Sequence, residues 1–476
     1  MDRQTLSNKI WQCCNIMRRD KLVPLQYIEQ LSWLLFLKLF DDLEKQQKLL
    51  NPKYQSIFDE KYQWHNWAGK KTGEELKEFV ERDLIPYLAG LSGTSQKAKI
   101  ASIFHEVKNH MRSGYNLAEV VEIIDGMDFS KPKDSQDSHI LSIAYEDLLM
   151  TTSGQKGGGA GEFYTPRPII RFIIKVIQPE IGDKILDPFC GSAGFLVESY
   201  KYLREKEKTL KDHKILQEKT FYGQEVKPLP HLIAVMNSML HGIESPNIVL
   251  KNTFEEDLRS IPDDKKFEII LTNPPFGGEE EKRLLANLPF KTSDTELAGF
   301  YYCLRKLKVR GRCGIVQPEG VLFRTGGAYK QVKKELLESS NLHTIISLPS
   351  GVFACVSPKG GSGPKTNLLF FEKGIPTKEI WYYELTPPDG KNYTRNNPIK
   401  DEDLEDAYKK WQKREISENS WIVKVEDIIK RDYDLSAKNP NRTKSVVYRK
   451  PEELVKSVLK KEKEIEEIIL KIKNSL

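Results

Sequence analysis

At 476 residues the chain is long enough for two or three domains, each with a sizeable core. Its 74 Lys+Arg against 68 Asp+Glu leave a net +6, a mild basic excess that admits nucleic acid as a partner without requiring it. The six cysteines (Cys13, Cys14, Cys190, Cys303, Cys313 and Cys355) form no CxxC pair, which argues against a zinc site and a disulfide framework and fits a reducing cytoplasm. No signal peptide opens the sequence. The longest apolar stretch, Trp33 to Phe40, is interrupted by Lys38 and too short for a bilayer, so a soluble protein is expected.

From the start to about residue 150, Ile28, Leu31, Leu35 and Leu39 recur at helical spacing. Further helices are predicted over Gly73 to Leu88 and Gln96 to Arg112, which makes residues 1–150 a helical domain. Composition then shifts to the glycine-rich run Thr151 to Gly161, a hinge or linker. Glu162-Phe163-Tyr164-Thr165-Pro166-Arg167-Pro168 follows and leads into an apolar helix, Ile169 to Ile177, with Thr165 as N-cap and Pro166 in the first turn. Such a segment either clamps a small ligand or simply links two domains.

Lys184 to Asp187 reads as a strand, Pro188-Phe189-Cys190-Gly191-Ser192-Ala193-Gly194 as a tight turn of mostly small residues, and Phe195 to about Leu203 as a helix. Small residues at the carboxyl end of a strand let a ligand approach the backbone, which suits a nucleotide-type pocket. Neither GxGxxG nor GxxxxGK[ST] is present, so an adenosine without pyrophosphate fits better than a dinucleotide or ATP. A charged helix is predicted from Lys201 to Lys219, and Thr220 to Glu225 as a second strand ending in a carboxylate able to accept ribose hydroxyls. A surface acid at a strand end is the plainer reading of Glu225.

After a helix from Pro230 to His241, strands are predicted at Asn247 to Leu250 and Phe267 to Thr272, the latter ending in Asn273-Pro274-Pro275-Phe276. Two prolines stiffen this turn and remove two N–H donors. An amide, a backbone carbonyl and an aromatic face then converge, a set that suits a planar group with an exocyclic NH₂: Asn273 and the Pro274 carbonyl accept its hydrogens and Phe276 stacks on the ring. An ordinary Pro-Pro loop is the alternative. Later strands are predicted at Gly314 to Pro318, Thr344 to Pro349 and Asn367 to Phe371, with a glycine-rich loop from Lys359 to Lys365. Strands alternating with helices imply an α/β fold with a doubly wound, mostly parallel sheet over residues 151–440. Beyond Gly374 the chain is polar with aromatic islands such as Trp381-Tyr382-Tyr383. A terminal helix from Pro451 in the tail 441–476 has coiled-coil-like spacing and either docks on a partner's helix or folds back.

The order Glu162 to Pro166, Asp187 to Phe195 and Asn273 to Phe276 resembles the modification (M) subunits of type I restriction-modification systems, which are adenine-N6 DNA methyltransferases. The resemblance extends to Tyr145-Glu146-Asp147-Leu148-Leu149, Leu348-Pro349-Ser350-Gly351-Val352-Phe353-Ala354 and Tyr433-Asp434-Leu435-Ser436. It implies an S-adenosylmethionine-dependent methyltransferase domain. Glu162 to Arg167 would lie near the cofactor's methionine part, Gly191, Ser192, Ala193 and Gly194 beneath it beside Asp187, and Glu225 on the ribose. Ala193 departs from the family's Phe-x-Gly-x-Gly turn, and its extra methyl is expected to be tolerated. The resemblance implies no metal. It further implies double-stranded DNA, a specificity subunit, a restriction subunit and a second copy of the chain as partners. Adenine itself comes only from the resemblance, since Asn-Pro-Pro-Phe also serves cytosine N4 and Asn-Pro-Pro-Tyr protein glutamine; an inactive assembly scaffold is a further alternative.

Overall fold

The computed structural model describes residues 3–127, 165–277, 280–353, 365–390, 392–394 and 397–441, together with 462, 465 and 466. Residues 1–438 form one compact unit and 439–476 another. The predicted terminal helix, the glycine-rich runs after residues 150 and 359, and Glu162, Phe163 and Tyr164 fall wholly or mostly outside the described residues. No helix among the described residues is long and apolar enough to cross a membrane.

The N-terminal part is helical, as its periodicity predicts. Helices α1 (Arg3–Arg19) and α2 (Pro24–Leu50) lead. They are followed by α3 (Trp64–Trp67), α4 (Gly73–Glu78), α5 (Ile85–Ala89), α6 (Ser95–Glu106) and α7 (Gly114–Asp125). The stretch predicted as one helix from Gly73 is continuous but passes through a π-helical turn at Phe79–Leu84, and the next helix stops at Glu106 rather than Arg112. Leu31, Trp33, Leu34, Leu35 and Phe36 of α2 are buried, so α2 is the axis of this region.

The remainder is built on a nine-stranded sheet of order β3-β2-β1-β4-β5-β7-β6-β8-β9. The strands are β1 (Ile185–Asp187), β2 (Phe221–Glu225), β3 (Asn247–Leu250), β4 (Phe267–Thr272) and β5 (Leu307–Pro318). β6 (Ser340–Ser347), β7 (Thr366–Lys373), β8 (Glu379–Glu384) and β9 (Ser420–Lys424) complete it. Pairings β1–β2, β1–β4, β2–β3, β4–β5 and β6–β8 are parallel, whereas β5–β7, β6–β7 and β8–β9 are antiparallel. The parallel half is the predicted doubly wound core. From β1 the chain winds outward through β2 and β3, then returns to β4 on the other side, so the strand order reverses between β1 and β4.

Helix α8 (Arg167–Ile177) buries seven of its aliphatic and aromatic side chains, Ile169 through Ile177, and lies on the sheet. Gly314 of β5 permits this approach: a Cβ there would stand 2.5 Å from Ile173 Cγ2. Helices α9 (Gly194–Arg204), α10 (Leu210–Glu218) and α11 (Pro228–Leu240) complete the first crossovers, and the short α12 (Lys282–Leu285) follows β4. The charged helix predicted over Lys201 to Lys219 is thus two helices. Thr209 restarts the chain with a capping box to Asp212, whose N–H it accepts at 3.1 Å.

Candidate active site

The site forms where β1 and β4 end side by side at the reversal point. Thr272, the last residue of β4, donates its hydroxyl to Asp187 Oδ1 at 2.6 Å, and the Phe189 N–H reaches the same oxygen at 3.2 Å. Asp187 is 1% exposed. Burial, opposed by the Thr272 and Phe189 donors, lifts its carboxyl from 3.8 to about 7. Between these values the folded chain holds a proton that the unfolded chain releases. The contribution to stability is therefore complete at low pH and is lost as pH rises through about 7. Asp187→Asn keeps an oxygen for both donors and removes the titration. Its stability relative to the parent should rise by up to about 1.4 kcal/mol per pH unit between roughly pH 4 and 7, then level off. Denaturant unfolding of both proteins across that range checks this, and a difference independent of pH would contradict it.

After Asp187 the chain turns sharply. Gly191 has φ 50° and Ala193 φ 64°, both left-handed. An alanine there costs about 1 kcal/mol. Its methyl group is fully buried, so the departure from glycine is accommodated at the expense of backbone strain. Cys190 donates its N–H to the Gln224 carbonyl, and Asn237 Nδ2 donates to the Ser192 carbonyl at 2.8 Å, pinning the turn from β2 and α11. Burial pushes the Cys190 thiol well above its ordinary value, so the residue packs and does not act as a nucleophile.

Glu225 ends β2 beside this turn. It accepts the Gly191 N–H at 3.0 Å on one oxygen and the Lys227 N–H at 2.9 Å on the other. It is therefore not a loose surface acid; the Val226 N–H is a third backbone donor to it, and acceptor capacity remains on the carboxylate for a ligand. Burial raises its pKa against these backbone donors. Two buried acidic side chains beneath the turn disfavour a phosphate, and a cationic ligand would draw them toward their charged forms.

Thr165 does not cap α8. Pro166 occupies the N-cap position, and the Thr165 hydroxyl instead accepts from Asn273 Nδ2 at 3.0 Å. Local spacing suggested a cap because Thr before Pro is a common start; the competing partner came from a residue 108 positions away. Arg167 reaches from the first turn of α8 to Gly194, where a Cβ would stand 1.8 Å from its Nη1. Glycine at 194 is thus required to admit the guanidinium. Thr165, Arg167, Asp187, Phe189, Gly194 and Asn273 line one small cavity with Ser192.

At Asn273 the amide is oriented by Thr165, while its Oδ1 is buried and has no hydrogen-bond partner among the described residues. A buried amide oxygen without a partner costs about 1–3 kcal/mol, which a ligand donor would recover. Pro274 packs on α13 (Thr295–Lys306), where Gly299 leaves room for its Cβ. The Pro275 carbonyl accepts from Thr295 Oγ1 at 3.4 Å. Phe276 is half-buried and meets Phe353 edge-on, with ring centroids 6.4 Å apart.

Two neighbours escaped sequence reasoning. Thr253 donates to the Pro188 carbonyl at 2.5 Å, and Phe254 lies 5.7 Å from the Phe189 ring. Their position just after β3, at the same carboxyl edge, was the available signal. A cofactor with an adenosyl group and a cationic centre fits this cradle of small residues, carboxylates and aromatic rings.

Comparison with known proteins agrees with the geometry. The family described as N-6 DNA Methylase matches residues 136–447, and the HsdM N-terminal domain matches residues 6–124. The chain is 39% identical over 485 residues to the Type I restriction enzyme EcoEI methylase subunit of Escherichia coli, covering 98% of this chain and 96% of the relative. It is 28% identical to the EcoKI methylase subunit of Escherichia coli K12, over 85% of this chain and 75% of that one. A modification subunit from Vibrio vulnificus YJ016 superposes with a TM-score of 0.81 at 37% identity, covering 92% of this chain and 97% of that one. A chain from a type I R-M system structure does so with a TM-score of 0.72 at 42% identity, covering 99% and 98%. The chain belongs to the N-6 DNA methylase family, among the methylase subunits of type I restriction enzymes.

Proposed function

We propose that this chain is the methyl-transferring subunit of a type I restriction-modification complex, moving a methyl group to N6 of an adenine flipped out of duplex DNA. The observation that carries the site assignment is the buried Asn273 Oδ1, which has no hydrogen-bond partner among the described residues and belongs to an amide oriented by Thr165 at the reversal point of the sheet. Bound S-adenosylmethionine supplies the chemistry of an electrophilic sulfonium methyl. Asp187, Glu225 and the turn from Gly191 to Gly194 would hold it, with Thr165 and Pro166 ahead of α8 and Arg167 in its first turn; the family resemblance adds Glu162, Phe163 and Tyr164 to that set.

The adenine amine is a poor nucleophile because its lone pair is delocalised into the ring. Asn273 Oδ1 accepts one N6 hydrogen and the Pro274 carbonyl the other, which favours a pyramidal nitrogen with its lone pair localised. Phe276 stacks on the ring of the extruded base and fixes its plane. Pro274 and Pro275 keep the acceptors from moving as the bond forms. Rate enhancement then comes from positioning, with no covalent enzyme intermediate: the C–N bond would form as the sulfonium C–S bond breaks to leave a neutral thioether, and one N6 proton would be released.

Sequence choice belongs to a specificity subunit and cleavage to a restriction subunit, with a second copy of this chain in the complex, acting on DNA in the cytoplasm. The test is methyl transfer from labelled S-adenosylmethionine to DNA of a strain lacking the system. Transfer is expected when the specificity subunit is co-purified and not with the chain alone. Full activity of the isolated chain would instead identify a self-sufficient methyltransferase.

A further inference from the structure

The loop carrying Asn273 and Phe276 is gripped by one turn and a half of helix α13. Glu296, 8% exposed, accepts the Gly277 N–H on Oε2 at 3.3 Å, and Thr295, 5% exposed, donates to the Pro275 carbonyl at 3.4 Å. The two bonds hold the residues on either side of Phe276. Gly299, one turn further on, packs against both Pro274 and Phe189, with distances of 3.2 and 3.1 Å from the position of an added Cβ. One helix end therefore touches the catalytic loop at three points, Pro274, Pro275 and Gly277, and the cofactor turn at a fourth, Phe189.

This helix end is itself braced. Asp294 accepts from Arg324 Nη1 at 3.2 Å and from the Tyr329 hydroxyl at 2.6 Å. Arg324 follows α14 (Glu319–Phe323), and Tyr329 belongs to α15 (Gly327–Ser339). The Arg324 backbone is in turn fixed by the buried Lys333, whose ammonium donates to the Leu322 and Arg324 carbonyls at 2.8 and 2.6 Å. A buried carboxylate that accepts one backbone N–H among the described residues, with the Arg324 guanidinium near enough to act as its counter-charge, is an expensive way to end a turn unless the orientation of the neighbouring ring matters.

We infer that Glu296 is a positioning residue for methyl transfer, fixing the plane of Phe276 through the Gly277 amide while making no contact with base or cofactor. The inference rests on the adenine-N6 reading of the Asn273–Phe276 site. Glu296→Gln keeps an oxygen for the Gly277 N–H, whereas Glu296→Ala removes it.

The test uses the complex with its specificity subunit, unmodified DNA and labelled S-adenosylmethionine. Glu296→Ala should lower kcat by about 10- to 100-fold. The Kd for S-adenosylmethionine should stay within about two-fold, because neither bond reaches the cofactor turn. Glu296→Gln should retain kcat within about three-fold. Hydrogen exchange gives a readout independent of activity: the Gly277 amide should exchange at least about ten-fold faster in the alanine variant and at the parental rate in the glutamine variant. An alanine variant with parental kcat, or a glutamine variant as impaired as the alanine one, would overturn the role. Parental protein that transfers no methyl while Gly277 is protected as described would overturn the adenine reading and leave the clamp standing.

Discussion

Asn273→Ala is expected to reduce kcat for DNA methylation by about 10²- to 10³-fold or more while leaving the Kd for S-adenosylmethionine within a few-fold. The variant removes a buried acceptor of the Asn-Pro-Pro-Phe turn that has no partner among the described residues. In the ground state that acceptor contributes little to holding the cofactor. In the transition state it stabilises the amine as its lone pair leaves the ring, so the loss falls on kcat rather than on affinity. Thr165 loses its amide donor in the same variant, and a modest drop in stability of about 1 kcal/mol should accompany the kinetic loss. Cofactor titration and single-turnover methylation separate the two effects. Loss of cofactor binding in step with activity would remove Asn273 from the role assigned to it.

Gly194→Ala should act on the opposite side of the site. The new methyl group would stand 1.8 Å from Arg167 Nη1 and 3.0 Å from Ile170 Cδ1. The guanidinium is the end of a long side chain and can be displaced, so the fold should survive. The cavity that Arg167 and Gly194 share cannot survive unchanged. Cofactor affinity should fall by about ten-fold or more, with a loss of stability of about 1–3 kcal/mol. In an Arg167→Ala background the same glycine substitution should cost far less, because the atom it displaces is gone. A thermodynamic cycle on cofactor binding measures this coupling, and additive losses would show that Arg167 is not what excludes a side chain at 194.

Much of the site was legible because its residues sit where local patterns end. The apolar run of β4 stops at Thr272, and the stiff Asn-Pro-Pro turn can only lie outside the sheet. β1 and its small-residue turn follow the same logic. What could not be read locally is set by distant partners. β5 begins at Leu307, well before the apolar Gly314 to Pro318: Leu307 pairs with Phe267 and Arg312 with Ile269 of β4, and the residues between them, Lys308 and Arg310 included, bulge out of the ladder partly into solvent. β8 is buried continuously from Ile380 to Tyr383 although it lies in a region of polar composition, because it is covered by β6 on one side and β9 on the other. The aromatic island Trp381-Tyr382-Tyr383 is the buried part of β8. The antiparallel insertion of β7 between β5 and β6 has no counterpart in spacing, since strand order is decided by which edges remain unpaired. The bond from Thr165 to Asn273 and the grip of Glu296 on Gly277 likewise join residues that no short window contains.

The most direct test of the central claim is the identity of the methylated nucleoside. The complex with its specificity subunit is incubated with unmodified DNA and isotopically labelled S-adenosylmethionine. The DNA is then digested and its nucleosides resolved by mass spectrometry. Label in N6-methyldeoxyadenosine, absent with Asn273→Ala, is the predicted result; label in N4-methyldeoxycytidine, or none in DNA, would contradict it.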